Sequence, residues 1–194
     1  MMRIITGKAR GVRLATLSGE HTRPTSERAK EAVFSMLQFE IQGKEVLDLF
    51  SGSGQMGLEA LSRGARHAVL CDSAREAVEV IRKNAEKTRL LPLCEILCMD
   101  YRLALRSLRR KCRFDLVFLD PPYALGAIPA VLKGLIEGDM LSGGAIVVCE
   151  TAEEGDVFAD EERLRDRFEI LRAVRYGAAF VTVLRLLDQK EDEA

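Results

Sequence analysis

Ten residues decide the fold: Asp48-Leu49-Phe50-Ser51-Gly52-Ser53-Gly54-Gln55-Met56-Gly57. An apolar run typical of a buried strand, Val46 to Phe50, leads into them, and a helical pattern over about 55–63 follows. The three glycines fit the spacing G-x-G-x-x-G, which lets the chain turn sharply, lets a ligand approach the backbone and lets the next helix pack closely. A strand, this turn and a helix in succession predict an α/β fold with a nucleotide-type pocket at the turn.

The rest of the chain continues the alternation of strands and helices. Helical patterns lie near 74–88, 101–111 and 126–138. Two late extended runs meet at Gly177 with no room for a helix, so they are expected to form an antiparallel pair. We therefore predict a Rossmann-like, seven-stranded, mostly parallel sheet with an antiparallel last strand and helices on both faces. Besides Val46 to Phe50, the predicted strands are Ala68 to Asp72, Cys94 to Met99, Asp115 to Leu119, Ala145 to Glu150, Phe168 to Tyr176 and Ala179 to Leu187.

A short N-terminal segment precedes this unit. Two extended stretches, Arg3 to Thr6 and Val12 to Thr16, surround a glycine-containing turn and predict a hairpin. A helix is expected next, capped by Thr25 or Ser26. The resulting division is an N-terminal extension over 1–40 that packs on the core, a main domain over 41–187 and a polar tail over 188–194.

The composition excludes several classes of protein. The chain has 194 residues, 47% of them apolar and 30% charged, as expected for one globular domain. Its apolar runs are strand-sized, and its N-terminus lacks the apolar core of a secretory signal, so we expect a cytoplasmic protein without a membrane span. Five cysteines without a C-x-x-C pair and two isolated histidines predict buried thiols and no metal site.

The formal net charge of −1 hides a segregation of charge along the chain. Residues 1–37 hold seven basic and three acidic groups, residues 101–113 hold six basic groups and no acid, and residues 150–194 hold thirteen acidic groups against seven basic ones. This pattern is typical of solvated helix faces with an acidic tail, and also of a protein that turns one face toward polyanions.

An adenosine-bearing ligand is indicated by Asp72, which lies twenty residues past Gly52 at the end of the second strand. A carboxylate there can accept hydrogen bonds from ribose hydroxyls. Asp48 places a second carboxylate where a pyrophosphate would have to lie, and the sheet leaves no separate catalytic domain for a hydride acceptor. Both features favour S-adenosylmethionine, which carries a sulfonium and an ammonium. A dinucleotide-binding regulator is the alternative, supported by the glycine spacing alone.

The fourth predicted strand ends in Asp120-Pro121-Pro122-Tyr123. Proline has no N–H, so the two prolines leave a rigid turn of carbonyl acceptors beside the Asp120 carboxylate. Such a turn can hold the exocyclic amine of a nucleobase between Asp120 and the Pro121 carbonyl, with the base stacked on Tyr123. A fixed carboxylate stabilises the positive charge that an amine gains when it is methylated. The loop therefore predicts methyl transfer to a base, which has to be unpaired or swung out of its stack.

These motifs together resemble the RsmD-type methyltransferases, and the resemblance covers essentially the whole chain. The sequence differs from the usual family pattern at Thr6, where glycine is common, and at Ser51, where alanine is common. Neither difference removes a reacting group. The stretches that carry the resemblance are Arg3 to Gly11, Thr22 to Arg28, Asp48 to Ala65 and Asp120 to Tyr123.

The resemblance implies a class I methyltransferase fold and transfer of methyl from S-adenosylmethionine to the N2 amine of a guanine in 16S rRNA. The implied partner is 16S rRNA or an assembling small ribosomal subunit, and we expect a monomer that needs neither membrane nor metal. The implied catalytic residues are Asp120, Pro121, Pro122 and Tyr123. The implied cofactor-binding residues are Asp48, Phe50, Ser51, Gly52, Ser53, Gly54, Asp72, Ser73, Asp100 and Tyr101. The residues expected to bind RNA are Lys8, Arg10, Arg13, Arg23, Thr25 and Arg28.

Two other enzymatic interpretations stay open. The turn at Asp120 is specific for methylation of an amine and not for one base, so adenine N6 or cytosine N4 of DNA or RNA is an alternative target. Methylation of a glutamine side chain in a protein uses a similar turn, but generally with asparagine at the position of Asp120.

Overall fold

The computed structural model describes residues 2–17, 24–154, 157–159 and 161–188, and of residues 24–27 it describes the backbone. No helix in these ranges is both long and apolar enough to cross a bilayer. The helices are α1 (Pro24–Met36), α2 (Gln55–Ser62), α3 (Arg75–Lys87), α4 (Tyr101–Leu108), α5 (Ile128–Glu137) and α6 (Glu162–Arg165). The strands are β1 (Glu45–Asp48), β2 (His67–Asp72), β3 (Cys94–Cys98), β4 (Phe114–Leu119), β5 (Leu141–Thr151), β6 (Phe168–Tyr176) and β7 (Ala179–Leu186).

The strands form one sheet in the order β3-β2-β1-β4-β5-β7-β6. The first five are parallel, and β7 runs antiparallel to both β5 and β6. The predicted seven-stranded, mostly parallel sheet is confirmed. The order reverses between β1 and β4, which are neighbours although two strands separate them in sequence. In sheets of this kind, ligands bind outside the carboxyl ends of the strands at such a reversal.

Alternating strand residues supply two hydrophobic cores, one on each face of the sheet, as period-two side-chain geometry requires. Val46 and Phe118 belong to the first core, which contains the apolar side chains of α1, α2, α3 and the N-terminal segment. Leu47 and Val117 belong to the second, which α4, α5 and α6 cover. The N-terminal segment therefore shares its core with the central strands.

Four local features differ from the sequence predictions. Helix α1 begins at Pro24, so Thr25 lies inside the first turn and does not cap it. Helix α4 ends at Leu108 because the chain soon turns through Arg110, whose φ is 58°. Helix α6, with four residues, is too short to give a periodic pattern. The expectation of buried thiols fails for Cys98, which is exposed at the edge strand β3.

The predicted hairpin is present as a short antiparallel pairing. The Ile4 N–H donates to the Val12 carbonyl at 3.0 Å, and the Gly11 N–H donates to the Ile4 carbonyl at 2.9 Å. A bridge between Arg3 and Arg13 continues the pairing. The turn between the two stretches, residues 7–11, points its backbone toward the end of α2.

Two buried side chains of α2 hold this turn. The Glu59 carboxylate accepts the Ile5 and Thr6 N–H groups at 2.7 and 3.0 Å. The Ser62 hydroxyl donates to the Thr6 carbonyl at 2.6 Å and accepts the Ala9 N–H at 3.0 Å. We call these contacts of Glu59 and Ser62 the α2 clamp. They satisfy backbone groups of the hairpin that no strand neighbour reaches.

Alanine at Gly7 is expected to disrupt the α2 clamp. Gly7 has a φ of +86°, and a Cβ there would lie 1.8 Å from the backbone oxygen of Ser62, which cannot move without shifting α2. Gly11 is the matched control, since its φ is +82° but a Cβ would meet nothing within 4 Å. Both substitutions incur the left-handed backbone penalty of roughly 1–2 kcal/mol. We expect Gly7→Ala to lower the free energy of unfolding, measured in urea, by about 2 kcal/mol more than Gly11→Ala. Equal losses of unfolding free energy in Gly7→Ala and Gly11→Ala would show that a Cβ at residue 7 does not disrupt the α2 clamp.

Candidate active site

The loop after β1 is shaped by glycine at three positions. Gly52 and Gly54 have φ values of 52° and 79°, which side-chain-bearing residues rarely adopt. A Cβ on Gly57 would lie 2.1 Å from a methyl group of Leu70, so its absence lets α2 approach β2. The predicted roles of the glycines in turning the chain and in close packing are thus visible in the geometry. The backbone of Gly52 faces an open cleft.

Asp48 is buried next to this loop and accepts a hydrogen bond from Gly57. Its side chain is 3% exposed, and its Oδ2 accepts the Gly57 N–H at 3.0 Å, while the Ser51 hydroxyl donates to its backbone carbonyl at 2.6 Å. Burial raises the pKa of Asp48 to about 7, against the lowering effects of these hydrogen bonds and of the Lys30 charge. Asp48 is therefore a group whose ionisation is coupled to the packing of the loop.

We expect the stability of the protein to carry a pH dependence due to Asp48. A carboxyl whose pKa rises from 3.8 in the unfolded chain to about 7 in the folded protein binds more protons when folded. Its contribution to stability is therefore largest below about pH 4 and is lost as the pH rises toward 7. The free energy of unfolding of the native protein, minus that of Asp48→Asn, should fall by roughly 3 kcal/mol between pH 4 and 7.5. Urea titrations of both proteins at several pH values measure this difference, and a flat difference would contradict the raised pKa.

The open cleft lies at the carboxyl ends of β1, β2 and β4 and has a volume of about 460 Å³. Asp72, at the end of β2, accepts the Gly52 N–H through one oxygen and the Ala74 N–H through the other, each at 2.9 Å. Asp100 caps α4 by accepting the Arg102 N–H at 2.9 Å. The rings of Phe50 and Tyr101 pack with their centroids 5.4 Å apart. These contacts fix the carboxylates and the aromatic wall of the cleft.

The residues present fit an adenosine-bearing cation better than a pyrophosphate. Each oxygen of Asp72 has a second lone pair for a ribose hydroxyl in addition to its backbone partner. The described residues that line the cleft include the three carboxylates Asp72, Asp100 and Asp120 and no lysine or arginine. Asp100 also pairs with Arg102, whose Nη1 lies 3.6 Å from its Oδ2, so the carboxylates at the cleft outnumber this cation. Anionic phosphates would be repelled there, whereas a sulfonium and an ammonium would be stabilised.

The loop after β4 forms one wall of this cleft. Asp120 is exposed directly after the strand, and Pro121 is buried beneath it. Tyr123 begins a short 3-10 turn and is 44% exposed, so part of its side chain faces solvent. Its hydroxyl donates to Oε1 of Glu150 at 3.1 Å. The loop therefore places an exposed carboxylate and a partly exposed aromatic ring on one wall of the cleft.

A second, smaller cavity lies beside the cleft, under α1. Its lining includes Lys30 of α1, Met56 of α2, Asp120 and Glu150. Its floor is formed by apolar side chains of β4, β5 and β7, namely Phe118, Val148 and Val181. Asp120 lines both the cleft and this second cavity, which we call the α1 cavity. Asp120 therefore lies between the cleft and the α1 cavity.

The structure brings most of the predicted site residues together. The cleft is lined by Phe50, Gly52, Asp72, Ser73, Asp100, Tyr101 and Asp120 to Tyr123. Four other predicted cofactor residues are buried in or beneath the glycine loop and do not line the cleft: Asp48, Ser51, Ser53 and Gly54. Of the predicted RNA-binding residues, Lys8, Arg10, Arg13 and Arg28 are exposed. Arg23 and the side chain of Thr25 lie outside the described residues.

Several residues of the site are not singled out by the sequence analysis. Leu17, which follows the hairpin, lines the cleft. The buried Asn84 of α3 bonds both the Ala15 backbone and the Ser53 carbonyl, so it ties the hairpin strand to the glycine loop. Lys30 contacts Oε1 of Gln55. None of these residues has a motif around it. Glu150, which lines a neighbouring cavity, differs from them because its position at the end of a predicted strand indicated that it lies near the site.

Comparison with known proteins gives concordant results. The family described as conserved hypothetical protein 95 matches residues 2–185. The ribosomal RNA small subunit methyltransferase D of Haemophilus influenzae is 32% identical over 161 residues, which cover 82% of this chain and 83% of the relative. The protein of the same name from Escherichia coli is 32% identical over 158 residues, covering 79% and 76%.

A solved structure agrees along nearly the whole chain. The structure of yhhF from Escherichia coli superposes with a TM-score of 0.81 at 26% identity, covering 97% of this chain and 99% of that one. The class I methyltransferase fold implied by the resemblance is confirmed. The chain belongs to the family of conserved hypothetical protein 95, the family of the RsmD-type methyltransferases that its sequence resembles.

Proposed function

We propose that the protein transfers a methyl group from S-adenosylmethionine to the N2 amine of a guanine in 16S rRNA. The observation that carries the proposal is the position of Asp120, which lines both the acidic cleft and the α1 cavity. A group placed there can touch an amine held in one space and face a methyl donor held in the other. Two relatives named for small-subunit rRNA methylation support the substrate class.

The cleft residues would hold the cofactor. Asp72 would accept the ribose hydroxyls, Asp100 and Tyr101 would meet the adenine, and Phe50 and Gly52 would line the methionine side. When bound, S-adenosylmethionine supplies a methyl group whose bond to sulfur breaks as its bond to N2 forms, with the electron pair left on the sulfur of S-adenosylhomocysteine. Asp48 and Ser53 act indirectly in this scheme, because they are buried and shape the loop from below.

The loop after β4 would orient the amine. The Asp120 carboxylate and the Pro121 carbonyl each accept one N–H of the amine, which directs the nitrogen lone pair out of the plane of the base. Tyr123 stacks on the ring. Positive charge develops on N2 during transfer, and the fixed Asp120 carboxylate stabilises it. The proton that N2 loses passes to Asp120, directly or through water.

The N-terminal extension would dock the RNA. Lys8, Arg10 and Arg13 are exposed on the hairpin, and Arg28 is exposed on α1, next to the residues of α1 that line the α1 cavity. Lysine and arginine neutralise phosphates, which gives affinity but little choice of sequence. We therefore assign binding of the backbone to this extension and choice of the base to the α1 cavity.

The proposal is tested by mapping methylation in rRNA. Small-subunit RNA from cells that lack the protein is incubated with the purified protein and methyl-labelled S-adenosylmethionine, both as free RNA and as assembled particles. We expect label on a single guanine, recovered as N2-methylguanosine after digestion. Label on adenine N6 or cytosine N4 would overturn the guanine assignment, and a protein that binds NADH but not S-adenosylhomocysteine would overturn the methyltransferase assignment.

A further inference from the structure

Glu150 is the neighbour of Asp120 in the sheet. The parallel strands β4 and β5 pair Leu119 with Cys149, so Asp120 and Glu150 follow side by side at the same carboxyl edge. Each comes two residues after a side chain of the first core, Phe118 and Val148, and so lies on the α1 face of the sheet. Both line the α1 cavity. The cavity therefore presents two adjacent carboxylates together with Lys30, and of the two carboxylates only Asp120 also lines the cleft.

We propose that Glu150 is the residue that selects guanine, by accepting the N1–H of the base while Asp120 holds the N2 amine. This inference rests on the proposed function and adds the choice of base to it. Guanine presents N1–H next to its amine, so its edge offers neighbouring donors to neighbouring carboxylates. Adenine and cytosine present an unprotonated ring nitrogen next to theirs. A carboxylate has no proton to donate to that nitrogen, which would leave two acceptors facing each other.

The contacts of Glu150 suit this role. Its Oε1 accepts the Tyr123 hydroxyl, which fixes the carboxylate beside the ring on which the base is expected to stack. Tyr123 is its hydrogen-bonding partner among the described residues, so Oε2 has lone pairs available for the base. The floor of the cavity is apolar, and a lower local dielectric constant strengthens a hydrogen bond to a charged acceptor.

The test compares two bases that carry the same amine. The rRNA is assembled by ligation so that the mapped nucleotide is either guanine or 2-aminopurine, which keeps the 2-amine but has an unprotonated N1. We expect the native protein to prefer guanine in kcat/KM by about tenfold to a hundredfold, the range for a hydrogen bond to a charged group. In Glu150→Gln the preference should shrink by about tenfold, because the amide can donate to the N1 of 2-aminopurine.

Two control variants separate base selection from other effects. Glu154→Gln removes an exposed carboxylate that lies just after β5 and outside the cavity, and it should keep the native preference. Tyr123→Phe removes the hydroxyl that holds Glu150 and keeps the ring, so it should lower the rates with both RNAs and reduce the preference for guanine by less than Glu150→Gln does. Dissociation constants for the two RNAs, measured by fluorescence anisotropy with each variant, give a second readout that does not depend on turnover.

The outcomes distinguish the two proposals. If the native protein methylates neither RNA, the proposed function fails. If it methylates guanine but Glu150→Gln slows both RNAs by the same factor, or if the native protein accepts 2-aminopurine as readily as guanine, the proposed function stands and the role of Glu150 is refuted.

Discussion

Asp120→Ala is expected to lower kcat for methyl transfer about 100- to 1,000-fold, the usual effect of removing a group that stabilises charge in the transition state. Asp120 is exposed at the junction of the cleft and the α1 cavity, so its loss leaves the cleft walls at Asp72 and Tyr101 intact. Affinity for S-adenosylhomocysteine should therefore change by no more than about threefold. Assays with labelled cofactor measure the rate of methyl transfer, and calorimetric titration measures the affinity for S-adenosylhomocysteine.

Asp120→Asn distinguishes orientation from charge at the same position. The amide keeps an oxygen that can accept a hydrogen bond from the amine, but it neither carries a charge nor takes a proton. An intermediate rate indicates that both functions contribute, whereas a rate equal to that of Asp120→Ala assigns the effect to the charge. Glu154→Gln serves as the surface control, and native turnover by Asp120→Ala would remove Asp120 from the mechanism.

Glu59→Ala is expected to lower the free energy of unfolding by about 3–5 kcal/mol, as found when one partner of a buried ion pair is removed. Glu59 is 1% exposed, and its carboxylate accepts the Nε–H of Arg63 at 2.7 Å in addition to two backbone N–H groups of the hairpin. Arg63 also lies over the ring of Phe34 in α1, 4.7 Å from its centroid. Loss of the carboxylate leaves these donors and the arginine charge without their acceptor.

The matched control for Glu59→Ala is Glu79→Ala. Glu79 pairs with Arg75 at 3.8 Å with the same spacing of four residues, but both side chains are largely exposed. Exposed pairs of this kind contribute roughly 0.5 kcal/mol or less. Urea unfolding followed by circular dichroism compares the two variants, and similar small losses in both would show that burial adds nothing to the Glu59 contacts.

Features that are local in sequence could be predicted from it. The G-x-G-x-x-G turn, the carboxylate at the end of β2 and the rigid turn at Asp120 each follow from a few adjacent residues, and the structure places members of all three around one cleft. The mostly parallel sheet with an antiparallel pair at its end could also be predicted, because strands alternating with helices are typically parallel and two strands without a helix between them pair antiparallel.

The α1 cavity could not be predicted in the same way. It depends on α1 lying over the carboxyl ends of β4 and β5, which brings Lys30 and Glu150 to one space although 120 positions separate them. The α2 clamp is likewise a set of long-range hydrogen bonds between backbone groups and buried side chains. Such contacts leave no periodic or motif signal, because they depend on how the elements pack.

Helix α2 connects the glycine loop to the turn of the N-terminal hairpin. Its first residues follow the glycine loop and contact α1 through Gln55, and its last turn carries Glu59 and Ser62 of the clamp. Eight helical residues span about 12 Å. The basic turn of the hairpin, residues 7–11, and the glycine loop thus lie at opposite ends of a single stiff helix. Under the proposed function, RNA bound at that turn would be held at a fixed distance from the methyl donor without any domain having to move.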